Sequence, residues 1–125
     1  MQNTNNLVVA RHAQGLAVHV YRVTAAFPPA EQYGLTSQMR RSAVSIGSNI
    51  AEGCGRRGVR ALVSFLYIAM GSASELEFQA LLARELGIVA PPLADSLVAE
   101  IRRLKRMLSK LIAALRKQTA GEAEG

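Results

Sequence analysis

Apolar positions recur at spacings of three and four along most of the chain, and no run alternates with period two. The pattern therefore predicts helices and no strand. The first segment runs from about Leu7 to Phe27, with Val9, Ala13, Leu16, Val20, Val23 and Phe27 on one stripe and Arg11, Gln14 and Arg22 off it. "FPPAEQYGL" stops it, because two prolines and a glycine punctuate the chain there. The second runs from about Leu35 to Gly53, with Met39, Ala43, Ile46 and Ile50 as its stripe and Thr36 or Ser37 placed to cap its start. The third, about Val59 to Leu86, is the most hydrophobic. It carries two stripes: Leu62, Leu66, Ala69, Ala73 and Leu76, and separately Phe65, Ile68, Ser72, Leu82 and Leu86. A helix apolar on two faces is central to a bundle or lies at a subunit interface. The fourth, about Leu93 to Lys117, keeps Leu97, Ile101, Leu104, Leu108, Leu111 and Leu115 in four-three spacing. Its basic residues fall on the other side. The closing "TAGEAEG" is small and polar and reads as a disordered tail. Four such segments with short connections predict an all-α, antiparallel up-and-down four-helix bundle, one domain over 1–118 followed by the tail 119–125.

Composition sharpens this picture in three ways. With 125 residues, half of them hydrophobic, the chain is long enough for a core, and its apolar mass is aliphatic, since Trp is absent and aromatics make up 5%. Cys54 is the single cysteine, so no internal disulfide forms, which suits a reducing compartment. The start "MQNTNNLVVARHAQ" lacks the basic and apolar regions of a signal peptide, and no run is expected to reach the ~18 apolar residues of a membrane span. The expected location is the cytoplasm, with no membrane partner. The charge is 15 basic against 9 acidic residues, net +6, which favours an acidic partner such as nucleic acid.

One stretch departs from ordinary core chemistry. "SIGSNIAEGCGRR", Ser45 to Arg57, puts small polar residues where leucines would pack better. Helical geometry places Arg41, Ser45, Ser48 and Glu52 on one arc with Asn49 at its edge, opposite the Met39–Ile46–Ile50 stripe. A solvated outer face is one reading of this arc. Gly47 argues for another, since a glycine in mid-helix costs roughly 1 kcal/mol relative to alanine. The flank holding Gly47 and Ala51 is therefore expected to pack closely against helix three or a second subunit. Asn49 and Glu52 would hydrogen-bond across that contact, and Gly53 and Gly55 would close the helix in a left-handed conformation.

The order "GLTSQMRRSAVSIGSNIAEGCGRR", followed by "FLYIAMGSASELEFQALLARELGIV", resembles the four-helix-bundle proteins encoded in intervening sequences of bacterial 23S ribosomal RNA genes. The likeness covers about Leu16 to Val89, with helix four similar only in character. Gly47 departs from it, since proline is as common there. The family is also similar in fold to the accessory proteins of diversity-generating retroelements, pentameric barrels that bind nucleic acid and reverse transcriptase. The resemblance implies a homopentamer without known catalytic residues. It implies that Arg41, Ser45, Asn49, Glu52, Ser72 and Glu75 are structural and hold helices two and three together.

Enzyme chemistry finds little footing. His12 and His19 lie on one side of helix one without the acidic or thiol companions of a metal site. Glu75 falls on an apolar face and needs a partner, for which Arg41 is the candidate. Cys54 has Arg56 and Arg57 nearby, which would lower its pKa, but no histidine pattern accompanies it. "GCGRRG" lacks the strand and lysine of a phosphate loop. No catalytic residue, metal or cofactor is expected. The basic surface is the stronger lead: Arg56, Arg57 and Arg60 at the second turn, and Arg102, Arg103, Arg106, Lys110 and Lys117 on helix four, where no acid occurs between Ile101 and Gln118. No aromatic residues interleave with it, so binding to RNA or DNA would be led by phosphate and weakly sequence-specific. The competing expectation is a protein-interaction scaffold, for instance a reverse-transcriptase or nucleoprotein accessory, whose basicity is incidental.

Overall fold

The computed structural model describes residues 4–124, and the side chains of residues 4–121. Helix α1 spans Thr4–Thr24, α2 Leu35–Gly55, α3 Val59–Glu85 and α4 Pro91–Glu124, with a single 3-10 turn, Pro29–Glu31, between the first two. No strand occurs among the described residues. Each helix packs on two others, α1 and α3 both lying against α2 and α4, while the diagonal pairs do not touch. Joined by short connections, neighbours run antiparallel, and the four apolar stripes close on one another. Leu16, Val20, Met39, Ile46, Ile50, Leu62, Leu66, Leu76, Leu97, Ile101, Leu104 and Leu108 are fully buried in the resulting core. The up-and-down bundle that the three-four spacing predicts is the observed fold.

The helix ends differ from expectation in instructive ways. Neither Thr36 nor Ser37 caps α2; the helix already begins at Leu35, and the Glu31 carboxylate accepts from the Leu35 N–H at 3.1 Å. A carboxylate at a helix start serves the unpaired N–H groups and the helix dipole as well as a hydroxyl does. Gly53 and Gly55 do not adopt the left-handed conformation. Both lie inside α2, and the positive backbone angles fall at Gly58 (φ 88°), just before α3, and Gly87 (φ 71°), just after it. At Gly87 the chain closes α3 with paired bonds, Gly87 N–H to the Arg84 carbonyl and Ile88 N–H to the Ala83 carbonyl, both 3.0 Å. Helix α4 starts on Pro91 and Pro92, whose fixed φ suits a first turn. It continues through Thr119–Glu124, so the segment expected to be a disordered tail extends the helix; its last residue, Gly125, lies outside the described residues.

Helix α3 is, by length and composition, apolar enough to cross a membrane, contrary to the sequence reading. In the bundle that composition has a second use. Leu62, Leu66, Ala69, Ala73 and Leu76 are buried against α2 and α4, while the other stripe divides: Phe65 and Ser72 turn onto α2, and Ile68 (51% exposed), Leu82 (36%) and Leu86 (60%) stay bare, with Phe78 (65%) exposed near the last two. A second, smaller apolar area lies on the α1–α2 side, where Val18, Tyr21 and Val44 rim a shallow depression.

The close approach to helix three expected at Gly47 occurs instead at Gly53. A Cβ at Gly47 would meet only Ala13 Cβ of α1, at 4.0 Å, an ordinary contact and not one with α3. A Cβ at Gly53 would lie 2.9 Å from Phe65 Cβ and 3.1 Å from Leu62 Cδ1 of α3. Phe65 Cβ sits next to the backbone and cannot swing aside, so α3 itself would have to move. Gly53→Ala is expected to destabilise the fold by about 1–3 kcal/mol, whereas Gly47→Ala should be neutral or stabilising by up to about 1 kcal/mol. Urea denaturation of the two variants checks this, and equal midpoints would place the close contact elsewhere.

Candidate functional site

The small polar residues of α2 form a seam with α3. Ser45 and Ser72 share a hydroxyl hydrogen bond of 2.8 Å across the interface. Asn49 does not cross it; its amide donates back to the Ser45 carbonyl and hydroxyl at 2.8 and 3.1 Å. Glu52 also stays on α2, paired with Arg56 at 2.6 Å between half-exposed side chains. The expected Arg41–Glu75 ion pair is absent from the described residues. The buried Ser42 hydroxyl donates to Glu75 at 3.2 Å, while Arg41 reaches only Ser37 on its own helix at 3.5 Å. The arginine that ties helices together is its neighbour Arg40. Its Nε donates to Thr24 Oγ1 at 2.9 Å and its Nη2 to the Tyr21 carbonyl at 3.3 Å, with the guanidinium 4.5 Å from the Tyr21 ring centre. A cation thus serves the open carbonyl end of α1. In "MRRS" the two arginines are one position apart, and a rotation of 100° decides which of them faces α1.

Helix α4 sorts its cations by face. Arg102 Nε and Lys105 Nζ both bond the Glu77 carboxylate of α3, at 2.8 and 2.9 Å. These two hydrogen bonds hold the Glu77 carboxyl below its ordinary pKa. Arg102 is therefore committed to an acid that lies 25 residues earlier in the chain, invisible to a search along α4 alone. Arg103, Arg106, Lys110 and Lys117 fall on the outer side, and none has an acidic partner among the described residues. At the turn between α2 and α3, Arg56 is taken up by Glu52 and stands over the Phe65 ring, while Arg57 and Arg60 are exposed and unpaired among the described residues. Arg60 shares a cavity of about 430 Å³ with Arg116, Val63, Thr119 and Ala120. Arg116, which sequence reading passed over, donates to the Tyr67 hydroxyl at 2.9 Å and so is aimed beside Arg60.

No cluster of three or more metal-ligating side chains exists among the described residues. His19 pairs with Glu100 of α4 at 2.6 Å, a bond between the first and last helices. Cys54 is buried, and burial pushes its thiol above its ordinary pKa, the opposite of the lowering expected from Arg56 and Arg57.

An antiparallel four-helix bundle with a polar α2–α3 seam and a one-sided basic α4 is the class that these features define. The chain belongs to the 23S rRNA-intervening sequence protein family, whose profile matches residues 5–110. Among solved structures it is similar to a protein of unknown function from the S23 ribosomal protein family of Bacteroides thetaiotaomicron. The two superpose with a TM-score of 0.78 over 88% of this chain and 99% of the other, at 23% identity. That likeness concerns the fold. No curated protein matches significantly. Neither the family description nor that neighbour names a catalytic activity.

The Glu77 bridge carries a pH test. A carboxyl whose folded pKa is depressed stabilises the fold above its unfolded pKa, about 4.3 for glutamate, and loses that contribution as pH falls through the folded value. Glu77→Gln should cost about 1–2 kcal/mol at pH 7, the low end reflecting the exposure of Arg102. The difference from the parent should shrink as the pH is taken below about 4. Denaturation at pH 7, 5 and 3.5 measures it; a pH-independent gap would mean that the substitution disturbs packing and not charge.

Proposed function

We propose that this protein is a non-catalytic, self-associating bundle that binds RNA or DNA through phosphate contacts on one basic side. The observation that carries this reading is the sorting of cations. Arg102 and Lys105 are neutralised by Glu77, whereas Arg103, Arg106, Lys110 and Lys117 point outward without acids, and Arg60 and Arg116 share a cavity at the end where α3 begins, which the exposed Arg57 precedes in the chain. Cations kept free of acidic neighbours on one side are what a phosphate backbone needs. Self-association is supported by the large apolar side chains that α3 leaves exposed, Ile68, Phe78, Leu82 and Leu86. A ring would repeat the basic face around the assembly and raise avidity. The family resemblance supplies five as the copy number, and five chains of 13.4 kDa make about 67 kDa by light scattering. The free cysteine agrees with a reducing cytoplasm. The second reading, a scaffold for a protein partner with incidental basicity, draws on the same exposed side chains.

Fluorescence anisotropy with a structured RNA at 50 and 200 mM salt separates the two. Replacing Arg57, Arg60, Arg103, Arg106 and Lys110 by alanine is expected to weaken binding, and to flatten the logarithmic salt slope by roughly 0.7–0.9 for each phosphate no longer neutralised. Arg102→Ala, taken from the neutralised face, should leave the slope unchanged. Equal affinity and slope in the five-fold variant would favour the scaffold. For assembly, Phe78→Glu should reduce the species in light scattering; a 13 kDa parent at micromolar concentration would remove the oligomer from the proposal.

A further inference from the structure

Away from the basic end, between the first half of α2 and the last half of α3, lies a groove of about 400 Å³ lined by Gln38, Arg41, Ser42, Ser45, Glu75 and Gln79. Its volume is within the range of small-ligand sites, yet every lining residue is polar. Two features mark it as more than a gap between helices. Gln79 is 5% exposed, and its Oε1 is buried with no hydrogen-bond partner in the protein. A buried amide oxygen left unpaired is costly and uncommon. Arg41 and Glu75 face the same groove with opposite charges and yet form no ion pair. Arg41 has one long bond to Ser37, and Glu75 takes one hydroxyl, from Ser42, on Oε1.

These groups select a ligand by charge. A simple anion drawn to Arg41 meets the Glu75 carboxylate, and a simple cation drawn to Glu75 meets the Arg41 guanidinium. A small molecule with both charges satisfies both walls and bridges a gap that the two side chains do not close themselves. Its ammonium would lie on Glu75 and its carboxylate on Arg41, where the guanidinium's paired donors match a carboxylate. The Gln38 and Gln79 amides supply donors and acceptors for its polar body; rotation of the Gln79 amide by 180° exchanges its oxygen and nitrogen and adapts it to either. We infer that the α2–α3 groove is a binding site for a small zwitterion of the free amino-acid class. This does not rest on the nucleic-acid reading, whose cations lie on α4 and at the opposite end of α3.

The test is isothermal titration of the full chain with a panel of free amino acids, the amines lacking their carboxylate and the acids lacking their amine. Binding by at least one amino acid is expected, with its amine-only and acid-only analogues about ten-fold or more weaker. Glu75→Gln and Arg41→Gln should each weaken the amino acid about ten-fold or more while keeping the helical circular-dichroism signal and the RNA salt slope. Arg41→Lys should recover part of the affinity. No binding at 10 mM across the panel, or binding equal in both variants, overturns the inference. So does a Glu75→Gln variant that changes assembly size without any small-molecule binding, which would assign the groove to contact between copies of the chain.

Discussion

The bundle depends on how near α3 can come to α2 at Gly53. With no side chain there, Phe65 and Leu62 of α3 settle directly on the α2 backbone. That proximity brings the Ser45 and Ser72 hydroxyls to 2.8 Å of one another and puts Ser42 within reach of Glu75. Short hydroxyl side chains can bridge two helices only when the backbones are close, because they have a single rotatable bond to span the gap. The same constraint explains the composition of α2. Leucine or isoleucine at the seam would hold the helices apart and strand the polar groups; serine and glycine let them meet. Glycine inside a helix costs up to roughly 1 kcal/mol in propensity, and the packing that Gly53 permits on α3 offsets that cost.

A different kind of contact ties the ends. Arg40 bonds the Tyr21 carbonyl and the Thr24 hydroxyl in the last turn of α1, Glu31 serves the first N–H of α2, and His19 reaches Glu100 to join the first helix to the last. Each is a polar bond at an edge of the core, where water partly competes, so each adds less to stability than the aliphatic interior. Their contribution is to direction: they fix which helix lies next to which, while leucine stripes alone would tolerate several arrangements.

The fold was legible because helical periodicity is local. Val9–Ala13–Leu16–Val20 and Leu97–Ile101–Leu104–Leu108 declare their buried sides without knowledge of any partner, and all eight are buried. The seam was half legible. The small polar residues of α2 pointed to a close approach and the Ser45–Ser72 contact lies within it, but the approach falls at Gly53 and not Gly47, six residues and thus more than one turn away, on a different face. Partner choice was not legible. Arg40 and Arg41 are chemically identical, and which one bridges depends on the crossing of α1 over α2. Glu77 neutralises Arg102 because two helices remote in sequence align, and Gln79 becomes a buried amide only through its position beside Ser42. No spacing rule encodes such pairings; three-dimensional register does.

The bare face of α3 and the Val18–Tyr21–Val44 area between α1 and α2 differ in shape and composition, and α1 stands diagonally across the bundle from α3. If copies associate as proposed with one of these faces on the other, the contact is head to tail and has no two-fold axis. An association of that kind either closes into a cycle or grows into a filament, and the angle between the two faces decides which. In the proposed assembly this angle would be set by how the helices are arranged, so a change in how α2 sits on α3 would bear on the number of copies as well as on stability. In such an assembly the glycine that brings α3 down onto α2 would bear on symmetry as well as on packing.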